Sequence, residues 1–334
     1  MCRFFCSIML PWIFESIDFA GKNSNGFLSL NYAPFCRSII QGCGSAQIMA
    51  TYVKRCSFSD SIPGPNDPSS SWCNMAFQTL YSKALALMPN VEELKLTRIC
   101  IDKYLLKNMV GLGRLTSLSL DHCFIRKVKD KDIRKLSTLR LKYLRLFESP
   151  EIDGGISQSL CLDSLLAVYT NCWSFLTRIA EQNCYLPLRE LDIVEARDLE
   201  MLPKIFQNTP TLKKLRISSA GTSQDKIRFD NVLPILDELC CPLFLVRSLV
   251  PGRPISSIDI LTIPLTEIAD VQSLSEKSTA RIRSLCVRVH VHSIIPFWEH
   301  FPDLKSLRLE LVATNQLTEQ SLEKVHSQST FSLS

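Results

Sequence analysis

The histidines that could do chemistry together are His290 and His292, one close pair among the five in the chain. Residues two apart on a strand share a face, so this His-Val-His could offer two imidazoles to one metal ion. No third ligand is evident beside them, and Cys286 lies four residues further back. The plainer reading is an ordinary strand end. The fourteen cysteines stand singly except for Cys240 and Cys241, and no Cys-x-x-Cys occurs. Zinc knuckles and thioredoxin-type redox pairs are therefore unavailable. Cys56, Cys123 and Cys286 occupy places where a small apolar residue would serve, and buried thiols of a reducing compartment behave as one. The stretch "GCGSAQ" lacks the last Gly of a dinucleotide loop, and Gly-x-Ser-x-Gly is absent. No nucleophile–base pair can be read from scattered Cys and His. The expectation is a protein that is not an enzyme, with no catalytic residues, no metal and no cofactor.

Charge points the same way. Thirty-eight basic against 33 acidic residues leave +5, too little for a nucleic-acid signature. "RKVKDKDIRKLSTLRLKYLR" from Arg126 carries nine Lys or Arg against two Asp. Its single aromatic, Tyr143, gives no stacking series for bases, so a solvated helix and its adjoining strand are expected. The opening "MCRFFCSIMLPWIFESIDFAG" offers eleven residues between Arg3 and Glu15, against the ~20 that span a bilayer. Read as a signal peptide cut after Ala20, it would place charged Asp18 where a small residue belongs. No Asn-x-Ser/Thr sequon occurs either. A cytoplasmic or nuclear protein with no membrane partner is expected, and a secreted repeat receptor fragment is the weaker alternative.

What remains is a pattern. Apolar-x-x-apolar-x-apolar returns as "VEELKL", "LTSLSL", "LKYLRL", "LRELDI", "LKKLRI", "ISSIDI", "IRSLCV" and "LKSLRL". The central apolar residues are Leu94, Leu118, Leu144, Leu191, Leu215, Ile258, Leu285 and Leu307, in steps of 24, 26, 47, 24, 43, 27 and 22. The two long steps each hide a copy: "LDELCC", centred on Leu239, fills the second, and "LDSLLA" from Leu162 fills the first more weakly. "FESIDF" and "VKRCSF" extend the series back to Ile17 and Cys56, so the opening stretch runs into a strand.

This grammar is similar to the leucine-rich repeat. The last two apolar positions of each copy point inward from a short strand, and a returning helix covers the other side. No unit can bury its apolar face alone; stacking buries it. "KYLLKNMVGLGRL", "LEMLPKIFQNTP" and "SIIPFWEHFPDL" have the helical spacing, with Pro89, Pro210 and Pro302 just past such helices. "APFCRSIIQGCGSAQIMATYV" reads as a helix followed by a turn at Gly42–Gly44. The Asn or Cys expected three residues after the last Leu occurs once, as Cys123. The fold class expected is α/β: an irregular leucine-rich-repeat solenoid, with parallel strands on a concave face and helices outside. It would span residues 13–314, with a loop insertion at 59–72 and a C-terminal cap helix and tail at 315–334.

In such a fold the residues between and after the inward positions point out over the concave face. These are Lys95, Ser119, Arg145, Asp192, Arg216, Asp259, Cys286 and Arg308, then Thr97, Asp121, Phe147, Val194, Ser218, Leu261, Arg288 and Glu310. Arg and aromatic residues are typical interface anchors. Arg145, with Phe147 as the lone exposed aromatic, is the first choice of partner-binding site.

"CRFFCSIMLPWIFESIDF" resembles the last part of an F-box, and "LPILDELCCPLFLVRSLVPGRPISSIDI" is similar to a segment of the F-box/leucine-rich-repeat proteins of mushroom-forming fungi. That resemblance implies an adaptor: an F-box docking on the Skp subunit of a Skp–cullin–F-box ubiquitin ligase, and a repeat face holding the protein to be ubiquitinated. The F-box opening "LP-x-E-L-x-x-x-I" is missing, so residues 1–12 would be the remnant of its final helix. Phe4, Phe5, Ile8 and Leu10 would be the residual docking surface, and the Skp subunit is expected as a partner only if the F-box is completed. A monomer outside the complex is expected, and the alternative is a leucine-rich-repeat scaffold with no ligase link.

Overall fold

The computed structural model describes residues 3–20, 33–59, 79–126, 128–147, 155–182, 184–221, 228–261, 271, 273–290 and 297–312. The predicted loop insertion beyond Ser59 and the C-terminal cap lie outside the described residues, while Ser59 itself belongs to a strand. The chain divides into two units, Met1–Glu181 and Gln182–Ser334.

In the first unit the strands are β1 (Ser16–Ala20), β2 (Arg55–Ser59), β3 (Glu93–Thr97), the two-residue β4 (Cys100–Ile101), β5 (Ser117–Asp121), the two-residue β6 (Phe124–Ile125), β7 (Tyr143–Phe147) and β8 (Ala167–Thr170). β1, β2, β3, β5, β7 and β8 form a parallel ladder in chain order. β4 pairs with β6 in a small second ladder. The second unit runs β9 (Glu190–Ala196), β10 (Lys214–Ala220), β11 (Glu238–Cys241), β12 (Ser257–Ile260), β13 (Ser284–His290) and β14 (Ser306–Val312), again parallel and in chain order.

The register is the one the repeat spacing predicts. Ile17, Cys56, Leu94, Leu118 and Leu144 stand opposite one another on successive strands. Leu191, Leu215, Leu239, Ile258, Leu285 and Leu307 do the same in the second unit. The chain is an α/β leucine-rich-repeat solenoid.

One repeat is read three residues out of place by its sequence. The copy hidden after Leu144 is not "LDSLLA" centred on Leu165 but "LLAVYT", with Val168 opposite Leu144. Its last inward position is Thr170, a polar residue that masks the pattern. Thr170 is fully buried because its hydroxyl donates to the Leu146 carbonyl (2.8 Å) and accepts from the Cys172 amide (2.8 Å).

Behind the strands lie short helices whose apolar faces are buried. The helix Lys103–Val110 buries Leu105, Leu106 and Met109, and Asp102 caps it by accepting from the Leu105 amide at 2.8 Å. The helix Leu202–Gln207 carries Pro203 in its first turn, where the missing N–H costs nothing, and it buries Leu202, Ile205 and Phe206. Gly42 makes the predicted turn with φ +77°, but Gly44 opens a second helix, Gly44–Ala50, after Ala33–Ile40.

The "VPGRP" turn proves to be a staple. Gly252 takes φ +75°, and Arg253, only 5% exposed, is turned inward. Its Nε donates to the Val232 carbonyl (2.9 Å), and Nη1 to those of Leu249 (2.7 Å) and Pro251 (3.1 Å). Nη2 donates to the Phe229 carbonyl. One guanidinium thus closes the end of the helix Leu243–Leu249 against the preceding loop. Arg253→Met should leave those carbonyls without their donor and lower stability by about 3 kcal/mol. Urea unfolding measures it, with Arg281→Met as the control. Arg281 pairs with Asp303 while 75% exposed, and its midpoint should not move.

Candidate functional site

Side chains alternate along a strand, so the inward Leu residues leave every second position on the open face. In the first unit the register aligns Asp18, Ser57, Lys95, Ser119, Arg145 and Tyr169 in one row. Ala20, Ser59, Thr97, Asp121 and Phe147 align in the next. Lys95 and Arg145 are exposed; Thr97, Ser119, Asp121 and Phe147 are half-buried.

Phe147 is not a lone aromatic. Tyr169 lies 4.9 Å from it between ring centroids, tilted by 40°. The Arg145 guanidinium carbon sits 4.8 Å from each ring centroid. Two rings therefore hold one cation through their negative faces. Sequence reasoning missed Tyr169 because the repeat was placed three residues early. The step of 24 from Leu144 to Val168 would have found it.

The second unit carries the row Asp192, Arg216, Cys240, Asp259, Cys286 and Arg308. Here the charges answer one another. Arg216 lies 3.9 Å from Asp192, while Arg288 (2.6 Å) and Arg308 (2.9 Å) share the Glu310 carboxylate. The two guanidiniums hold Glu310 below the usual carboxylate range, the Arg288 hydrogen bond most of all. Cys240 donates to Asp259 at 3.3 Å. Val194 and Ser218 are half-buried on this face, but Leu261 is buried and leaves the predicted set. Cys286 stands in the open row beside Asp259, where the alternation places it, and not in the core that its small apolar type also allowed.

These thiols are poor nucleophiles. Burial first, then the Asp259 carboxylate, pushes Cys240 up to about 12 and Cys286 to about 11. Cys56 is pushed to about 12 by burial in line with Leu94. Cys123 is buried and donates to the Leu96 carbonyl, so it acts as the cysteine of a repeat ladder.

His290 closes β13; its side chain and His292 lie outside the described residues. Among the described residues no group of His, Cys, Asp and Glu could hold a metal ion. The basic stretch forms the helix Asp130–Ile133, the 3-10 turn Arg134–Thr138 and β7, with Lys135 bonded to Asp132 at 2.8 Å. At the N-terminus, the helix Arg3–Ile13 runs into β1. The side chains of Phe4 and Phe5 lie outside the described residues; Leu10 is half-buried, and Ile8, Met9, Trp12 and Ile13 are exposed by 47, 37, 73 and 61%. Among the described residues no helix is long and apolar enough to cross a membrane.

No family model matches the chain, and no curated protein matches it. Solved structures do. One is an internalin (inlF) of Listeria monocytogenes str. 4b F2365, 13% identical, with a TM-score of 0.39 over 84% of this chain and 89% of that one. Another is the TLR13–ssRNA13 complex, 14% identical, with a TM-score of 0.33 over 84% of this chain. The chain spans 53% of the length of that TLR13 structure.

The burial of the thiols sets their order of reaction. Of the described cysteines, Cys43 and Cys184 are exposed, while Cys36, Cys56, Cys123, Cys172 and Cys241 are buried. Iodoacetamide at pH 8 should label Cys43 and Cys184 in the native protein and the buried five only after denaturation, as read by peptide mass spectrometry.

Proposed function

We propose that this chain is a protein-binding adaptor, the substrate-recognition subunit of a Skp–cullin–F-box ubiquitin ligase. The target is held on the open strand face around Arg145, Phe147 and Tyr169. The observation that carries this reading is the exposed guanidinium braced by two rings on the open strand face. Aromatic and Arg anchors of this kind concentrate binding energy in protein interfaces.

The ligase link rests on the N-terminal helix. Its exposed Ile8, Met9, Trp12 and Ile13 form an apolar surface of the sort that seeks a partner. A scaffold without a ligase link is the second reading, since the open strand face alone accounts for protein binding.

Two pairs of substitutions separate the ends. With an F-box opening helix joined ahead of Met1, Arg145→Glu with Phe147→Ala should abolish target capture and leave Skp binding unchanged. Ile8→Asp with Trp12→Asp should do the reverse. Capture is measured by affinity purification with quantitative mass spectrometry, and docking by co-purification with a Skp-type subunit. A chain that ignores the Skp subunit even with an F-box opening helix joined ahead of Met1 would defeat the ligase reading and leave the scaffold one.

A further inference from the structure

The two units treat their open-face cations differently. In the second, Arg216, Arg288 and Arg308 each have a carboxylate on the same face. In the first, no carboxylate among the described residues pairs with Lys95 or Arg145, and both are exposed. The acids on that face are placed elsewhere. Asp121 is bonded to His122 at 2.8 Å, and Asp18 stands two strands from Lys95.

Between the two cations lies Ser119, directly opposite each. Its hydroxyl oxygen is shielded from solvent and has no hydrogen-bond partner among the described residues. Strands are ~4.8 Å apart, so Lys95 and Arg145 stand roughly 10 Å apart across this hydroxyl. An orphan hydroxyl between two uncompensated cations is unusual in a folded protein, where covered polar groups find partners. Arg145 is also pre-positioned. Contact with the Phe147 and Tyr169 rings restrains its guanidinium, and a guanidinium fork matches an oxyanion in two-point fashion.

We propose that the first unit's open face recognises an acidic segment of the partner protein. One of its oxyanions, a carboxylate or a phosphoryl group on a side chain, is received by Arg145 with Lys95, over the strand position that Ser119 holds between them. This rests on the reading of that face as the target site and adds the chemistry of what it selects. The second unit, with its charges already paired, contributes no such preference.

The test uses the full chain and four degenerate nine-residue peptide libraries whose central residue is fixed as phosphoserine, Glu, Ser or Lys, with poly-uridylate as a fifth probe. Retention of the phosphoserine or the Glu library should exceed that of the Ser library at least tenfold and fall as salt is raised. The better of those two names the source of the oxyanion. Arg145→Gln should lose that tenfold excess, Arg145→Lys should keep only part of it, and Arg281→Gln, at an exposed ion pair off that face, should change nothing. Melting temperatures confirm that each variant is folded. Equal retention of the Ser or Lys library, an Arg145→Gln variant that binds as before, or tighter binding of poly-uridylate overturns the proposal. If Ser peptides bind in a way that depends on Phe147 but not Arg145, the anion preference falls while the target face stands. If no library is retained at all, both fall.

Discussion

At the start of nearly every strand, two consecutive backbone amides converge on one carbonyl of the repeat before. The amides of Lys54 and Arg55 donate to Glu15, those of Glu92 and Glu93 to Lys54, those of Thr116 and Ser117 to Glu92, and those of Lys142 and Tyr143 to Thr116. The second unit repeats the device from Arg189 through Lys213, Asp237, Ser256 and Arg283. All these bonds measure 2.8 to 3.1 Å. A parallel strand could slip along its neighbour, and a slip of one residue would turn every Leu outward and every Arg inward. The shared carbonyl fixes the first residue of each strand, so the slip is prevented before the Leu pairs meet. Both the core and the binding face depend on that one contact.

The array lacks the Asn ladder of regular repeats, and other groups fill its place one repeat at a time. Cys123 and Thr170 each donate to a carbonyl of the preceding strand. Thr211 and Ser164 reach back to the carbonyls of Leu188 and Leu141 from just ahead of the next apolar residue. Between β11 and β12 a buried guanidinium does the work of several hydroxyls. Burying Arg253 costs desolvation, which lowers its pKa against the pull of Asp230. Four carbonyls that would otherwise be orphaned offset that cost.

Most of the fold is legible in the chain because the apolar grammar and the step length act together. Ile17 and Cys56 could be placed in line with Leu94 before any strand was seen, since the inward position tolerates any small or branched apolar group. The misplaced repeat shows the limit. A polar residue in an inward position breaks the pattern, and Thr170 is acceptable there only because Leu146 and Cys172 satisfy its hydroxyl, which no local spacing announces. Tyr169 went with it, and so did half of the cage around Arg145. Leu261 erred in the opposite sense: its alternation was right, but how a strand ends is decided by neighbouring repeats.

The binding face makes the same point with charge. Composition sees only nearly balanced basic and acidic residues, which predicts no preference. Register sorts them. In the second unit Asp192 falls opposite Arg216, and Arg288 falls opposite Glu310, so each cation meets its acid at the strand spacing. In the first unit the register sets Ser119 between Lys95 and Arg145 and gives Arg145 an aromatic neighbour instead. A ring face holds a guanidinium in place without neutralising it, whereas a carboxylate does both. Two faces on which acids and bases balance equally therefore differ in what they can attract, and the difference lies in which residue stands one repeat away.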